Sequence, residues 1–143
     1  TVLPTLLKQK SGRVVFVSSV AGLLGTQFRA SYSAAKEAIH MWANSLRAEV
    51  AKEGVEVSVV FPGFVKTNVS FNALNGEGKP QGHQDEAIEN GLEADVFAER
   101  VVSSLMAGDE YIVVGGTKEK LGVLVSRLSP SALYKMIRKT RVK

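Results

Sequence analysis

Cysteine is absent from this chain of 143 residues, which removes both a disulfide framework and any thiolate-held metal. Histidine is scarce. His40 and His83 lie far apart and lack the spacing of a metal-ligand pair, so no metal site is expected. No apolar run is long enough to cross a bilayer, and no signal-peptide pattern is visible. A starting methionine is also lacking. Residues 1–10 read as the last turns of a helix with no N-cap of its own unless Thr1 serves. The chain is therefore expected to be the C-terminal part of a longer protein.

What is present is ordinary for a globular α/β domain. The residues are 45% hydrophobic and 22% charged, which argues against disorder, and the length fits one domain or less. The formal net charge is +4, but five of the 18 Lys and Arg residues (Lys135, Arg138, Lys139, Arg141 and Lys143) crowd the end. Without them the chain is close to neutral. The basicity belongs to the tail, and nucleic acid is not an expected partner.

The stretch from Val14 to Lys36 organises the chain. Residues 14–17 are apolar and mostly β-branched, and Ser18, Ser19 and a glycine follow, as where a buried strand stops. A glycine-punctuated loop then leads to a long helix expected over 30–52. Tyr32 and Lys36 stand four residues apart on it, which puts a phenol and an ammonium on one face.

A free phenol, with a pKa of about 10, exchanges protons poorly at neutral pH, and a neighbouring cation favours the phenolate. A serine hydroxyl beside the pair can hold a carbonyl or alcohol oxygen against the phenol. Such a site protonates a carbonyl as it is reduced, or deprotonates an alcohol as it is oxidised. Each part also has a plain reading. Tyr–Lys pairs are common on surface helices, and paired serines after a strand are commonly a turn or a helix cap.

Beyond the helix, Glu53-Gly54 is a stop signal, and 55–61 reads as a second buried strand ended by Pro62-Gly63. Residues 68–90 are polar and glycine-bearing without periodicity, and read as a flexible linker or, preferably, a lid. A helix is expected over 93–107, with Glu93 and Asp95 in its first turn, and a third strand over 111–114. From Leu121 to the end, apolar residues alternate with cations, and Pro130 divides the stretch into two short helices. Its apolar face either lies on an anionic membrane surface or packs back on the domain. The long helix is apolar on more than one side, which calls for two neighbours.

The order of these parts resembles the short-chain dehydrogenase/reductase family. The likeness rests on F-R-A-S-Y-S-A-A-K, L-R-A-E, P-G-F-V-K-T-N, N-A-L-N-G-E-G and R-L-S-P-S-A-L, and it runs along nearly the whole chain. It implies an α/β fold, here the C-terminal half of a Rossmann-type doubly wound parallel sheet over 1–116, with 117–143 as a basic amphipathic extension. It implies Ser19, Tyr32 and Lys36 as catalytic residues. It also implies that Tyr32, Lys36, Pro62, Gly63, Val65 and Thr67 hold the nicotinamide of NADP(H).

Within the family the likeness is to members that act on a lipid-like carbonyl such as acyl/alkyl-dihydroxyacetone phosphate at the endoplasmic reticulum or peroxisomal membrane. In the family this helix commonly contributes to a dimer interface, which implies a homodimer through the 30–52 helix. The family's glycine-rich phosphate loop and its catalytic Asn have no counterpart in these residues, so the chain alone is expected to be inactive. The reading from a different class is a catalytically silent, membrane-associated scaffold with the same fold.

Overall fold

The computed structural model describes residues 2–139. Three parallel strands form its sheet: β1 (Arg13–Val17), β2 (Glu56–Pro62) and β5 (Tyr111–Val114), in the order β1-β2-β5. Val15 pairs with Ser58 and Phe16 with Val59, while Val60 pairs with Ile112 on the other side. β2 is central, and its Val57, Ser58, Val59, Val60 and Phe61 are buried without relief. That is why this segment reads as an unbroken apolar run rather than an alternating one.

Because strand side chains alternate, β2 feeds two cores. Val57, Val59 and Phe61 pack with Ala43, Leu46 and Val50 of α3 (Ala30–Val50), Val20 of α2 (Val20–Leu24) and Val123 of α6 (Thr117–Leu128). Val60 joins Ile112 and Val114 against Phe97, Val101 and Leu105 of α5 (Ala94–Met106). Helices therefore cover both faces of a parallel sheet, which is the doubly wound α/β arrangement.

The chain enters through α1 (Leu3–Gln9), with Pro4 in its first turn, where a missing N–H costs nothing. The expected cap Thr1 lies outside the described residues. Gly54, which ends the turn after α3, has φ +70°, and a Cβ there would sit 2.3 Å from the Lys10 carbonyl. Only glycine fits that turn against the end of α1.

Three expectations need correction. The link between β1 and α3 is not simply a loop: it contains α2, a helix too short to show a period in the sequence. The 68–90 segment, read as a flexible linker or a lid, has structure of its own, which counts against the flexible linker. It contains α4 (Glu86–Glu89) and a Leu74–Pro80 bridge. Gln84 ties it together, donating to the Thr67 carbonyl at 2.6 Å and accepting from the Ser70 hydroxyl and the Phe71 amide.

The third correction is that Glu93 does not lie in a helix. It belongs to β4 (Leu92–Glu93), which pairs with β3 (Val65–Lys66), and α5 begins at Ala94. Lys66 and Glu93 bond at 2.8 Å across that ladder, and the carboxylate holds the exposed ammonium above its usual range.

Pro130 does divide the tail, into α6 and α7 (Pro130–Lys139). The inner face of α6 packs on the domain. Val123 enters the core, and a Cβ on Gly122 would lie 2.9 Å from Leu24. The Arg127 guanidinium lies 4.2 Å from the Tyr111 ring centroid. Burial pushes the Tyr111 phenol up, with Arg127 opposing the shift. Leu133 buries α7 against the rest. Arg141 and Lys143 of the basic cluster lie outside the described residues. No described helix is long and apolar enough to cross a membrane.

Phe61 is the largest fully buried side chain, with ring contacts to His40 at 5.0 Å and Tyr111 at 4.5 Å. Phe61→Ala is expected to lower stability by about 3–5 kcal/mol, through lost transfer energy and the cavity left behind. Chemical denaturation of the variant and the parent measures it.

Candidate active site

At the carboxyl end of β1 the two serines take different roles. Ser18 is buried. Its amide continues the ladder to the Val60 carbonyl at 2.8 Å, and its hydroxyl donates to the Lys36 carbonyl at 2.7 Å. Ser19 turns the chain out of the strand and caps α2, its Oγ accepting from the Ala21 amide at 3.1 Å. The plain reading of the double serine is thus partly realised. It does not exhaust Ser19, because a hydroxyl that accepts a capping bond still has its own hydrogen to donate.

The glycine after the serines sets how close α2 comes to α3. A Cβ on Gly22 would lie 3.1 Å from both the Glu37 amide nitrogen and the Lys36 Cβ. A larger residue would require α2 or α3 to give by a few tenths of an ångström. Lys36 then reaches back to the strand it faces, its Nζ donating to the Val17 carbonyl at 3.3 Å. The same Nζ lies 5.7 Å from the Tyr32 ring centroid, and the Tyr32 ring is 44% exposed, opening on a cleft.

That cleft has a volume of about 640 Å³. Ser19, Tyr32, Lys36, Pro62, Gly63, Val65 and Thr67 all line it. They converge because parallel strands β1 and β2 end on the same edge of the sheet, where open α/β folds leave a crevice. At its edge Gly63, which lines it, meets the glycine that follows β5. A Cβ on Gly63 would be 3.0 Å from the Gly115 Cα. Val65 and Thr67 stand beside this backbone ledge, and the Glu119 side chain lies against it, its Cγ 3.3 Å from where a Gly63 Cβ would be. Thr67 Oγ1 accepts from the Val69 amide at 3.4 Å, leaving its hydrogen for a ligand.

Sequence reasoning missed several lining residues: Leu24, Arg29, Phe64, Ile88, Phe97 and Glu119. They come from α2, the loops and three later helices. Glu119 packs against Gly63 and Gly116; the Gly115-Gly116 pair after β5 was its one visible signal. Ser18 was also given no role, although its position before Ser19 was the cue.

The histidines stay apart from this chemistry. His40 bonds Glu37 at 3.1 Å and Asn44 at 3.0 Å over Phe61, and His83 Nδ1 donates to the Gln81 carbonyl of its own loop at 3.3 Å. Among the described residues no cluster of His, Cys, Asp and Glu could hold a metal ion.

The family model for short chain dehydrogenase matches residues 1–77, more than half of the chain. The chain belongs to the short-chain dehydrogenase family.

Among curated relatives of the same family, a dehydrogenase/reductase SDR family protein 7-like of Drosophila melanogaster is 38% identical over 141 residues, covering 99% of this chain and 43% of its own. Dehydrogenase/reductase SDR family member 7B of Xenopus laevis is 33% identical over 135 residues, covering 94% of this chain and 42% of its own. The chain thus spans less than half the length of these relatives. A solved short-chain dehydrogenase from Burkholderia cenocepacia, in complex with NADP, superposes with a TM-score of 0.74. It is 22% identical and covers 97% of this chain and 52% of its own. At that identity the likeness speaks for the fold.

Ser18→Ala removes a hydroxyl donor whose acceptor, the Lys36 carbonyl, lies inside α3. No buried group is stranded, so the expected loss is only about 1 kcal/mol. A shift of the denaturation midpoint by that amount, with unchanged slope, checks the role.

Proposed function

We propose that this chain carries the proton-transfer machinery of an NADP(H)-dependent oxidoreductase that interconverts a carbonyl and an alcohol. The observation that carries the reading is the convergence of Ser19, Tyr32 and Lys36 on one cleft beside the Gly63–Gly115 ledge. Bound NADPH supplies a hydride to the carbonyl carbon.

The chain's own residues manage the oxygen. The Ser19 hydroxyl donates a hydrogen bond to the carbonyl oxygen and fixes its position. The Tyr32 phenol gives its proton to that oxygen as negative charge develops there. The Lys36 ammonium, anchored by the Val17 carbonyl at 3.3 Å, stabilises the charge left on the Tyr32 oxygen. Pro62, Gly63, Val65 and Thr67 hold the nicotinamide end, the backbone near Val65 and the Thr67 hydroxyl addressing the carboxamide.

The substrate proposed is lipid-like, with an acyl/alkyl-dihydroxyacetone phosphate as the specific candidate. The apolar walls of the cleft, Leu24, Ile88 and Phe97 among them, favour a ligand with an apolar portion. The proposed assembly is a homodimer through α3, which leaves Met41 51% and Trp42 57% exposed although the Trp42 ring also packs edge-on to Phe16 of β1. Likeness to the member 7B relatives supports the endoplasmic reticulum or peroxisomal membrane as the location. The exposed cations of α7 support contact with a membrane surface.

Tyr32→Phe keeps the ring and removes the proton. In the full-length protein, NADPH-dependent carbonyl reduction is expected to fall by roughly 10²–10⁴-fold, the scale of a lost general acid. Turnover near the parent's would overturn the assignment of Tyr32. Absence of any turnover in the parent, across lipid-like carbonyls, would favour the scaffold reading instead.

A further inference from the structure

Phe28 stands almost wholly in solvent, 95% exposed, with φ +61°. Left-handed backbone is a place that bulky side chains avoid and Gly or Asn accept. An aromatic residue held there makes no packing contact among the described residues that offsets the strain, so its ring is open to a partner.

Its neighbours show where it stands. Gln27 donates from Nε2 to the Ile137 carbonyl of α7 at 3.4 Å. On the other side, the Arg29 guanidinium pairs with Asp85 at 3.5 Å, and the Asp85 amide donates to the Ser70 hydroxyl at 3.1 Å. Ser70 lies between Val69 and Phe71, both exposed. One chain of contacts thus links α7, the turn that lifts Phe28 and the Val69–Phe71 segment. Thr26, Arg29 and Val69 line the cleft itself, so this chain of contacts is its mouth.

We propose that Phe28, Val69, Phe71 and the cations of α7 form a rim that docks on an anionic lipid bilayer, so that substrate enters the cleft from the membrane. The entry route rests on the lipid-like substrate proposed above; the docking does not.

Charge complementarity selects the occupant. Lys135, Arg138 and Lys139 are exposed, and α7 contains no acidic residue, while Arg29 and Asp85 neutralise each other. A second copy would bring the same cations against themselves, and like charges across an interface repel. An anionic headgroup layer attracts these cations and gives aromatic rings the interfacial region they favour. The apolar residues at the mouth then continue the lipid-facing surface into the apolar walls of the cleft, and a lipid-like substrate would not have to cross water.

The test uses the full chain with vesicles of phosphatidylcholine alone and with added phosphatidylserine, followed by flotation. Phe28→Asn with Phe71→Ser alters the rim, and asparagine tolerates the left-handed backbone, so the fold is expected to persist by thermal unfolding. Replacing Lys135, Arg138 and Lys139 together by Gln alters the charge.

Binding to the anionic vesicles is expected to weaken on the order of 100-fold for the charge variant, and clearly for the rim variant. In a Trp42→Phe background, Phe28→Trp places the one indole of these 143 residues at the rim, and brominated lipid is expected to quench it. Unquenched fluorescence despite vesicle binding would overturn the proposal, since the membrane contact would then lie elsewhere. So would a concentration-dependent dimer abolished by Phe28→Asn, which would make a second copy the occupant. Neither readout needs turnover, so failure of the docking surface is distinguishable from failure of the oxidoreductase reading.

Discussion

Two hydrogen bonds hold the carboxyl end of β1 to the second turn of α3: the Ser18 hydroxyl to the Lys36 carbonyl, and the Lys36 ammonium to the Val17 carbonyl. They join the same two elements in opposite directions. The buried bond fixes the position of the helix along the strand. The cleft-side bond fixes where the ammonium stands relative to Tyr32. Ser19 leaves the strand one residue after Ser18, so its direction is set by the same seam. The site's geometry is in this sense a property of one strand end and one helical turn.

Glycine makes that seam possible and completes the cleft beside it. Gly22 lets α2 approach α3 more closely than a Cβ would permit, and Gly63 lets the ends of β2 and β5 meet across Gly115. In both places a Cβ would intrude on backbone or on a side chain's fixed root, where relief requires moving a whole element. The core beneath supplies the stiffness. β2 is buried on both faces, and helices pack on each, so the strand ends that carry the site have little freedom to drift.

Long apolar signals in the sequence carried through to the structure. The strand at 14–17 is β1 with Arg13 added, and the 30–52 helix is α3, ending at Val50. Both follow from patterns that persist over several residues, and β2 and β5 were legible for the same reason. The failures are all short. α2, α4 and the β3–β4 ladder span too few residues to show a period, and Gln84, which secures the 68–90 segment, acts on partners distant in sequence. Glu93 looked like a first-turn acid because its spacing fitted, yet pairing with Lys66 across the ladder holds it extended.

The sequence by itself determined the alternation of strands and helices, and the candidate chemical groups: Ser19 after a strand, and Tyr32 and Lys36 on one helical face. These are local, because periodicity and i,i+4 spacing act between neighbours along the chain. Only the tertiary structure decided that Ser19 both caps a helix and lines the cleft. The same is true of Glu119 and Phe97 reaching the cleft from later helices, and of α6 sending Val123 into the core. Those outcomes depend on which surfaces meet when the sheet closes its layers. Contacts between residues a hundred positions apart, such as Gln27 with Ile137, leave no mark in the local pattern of either.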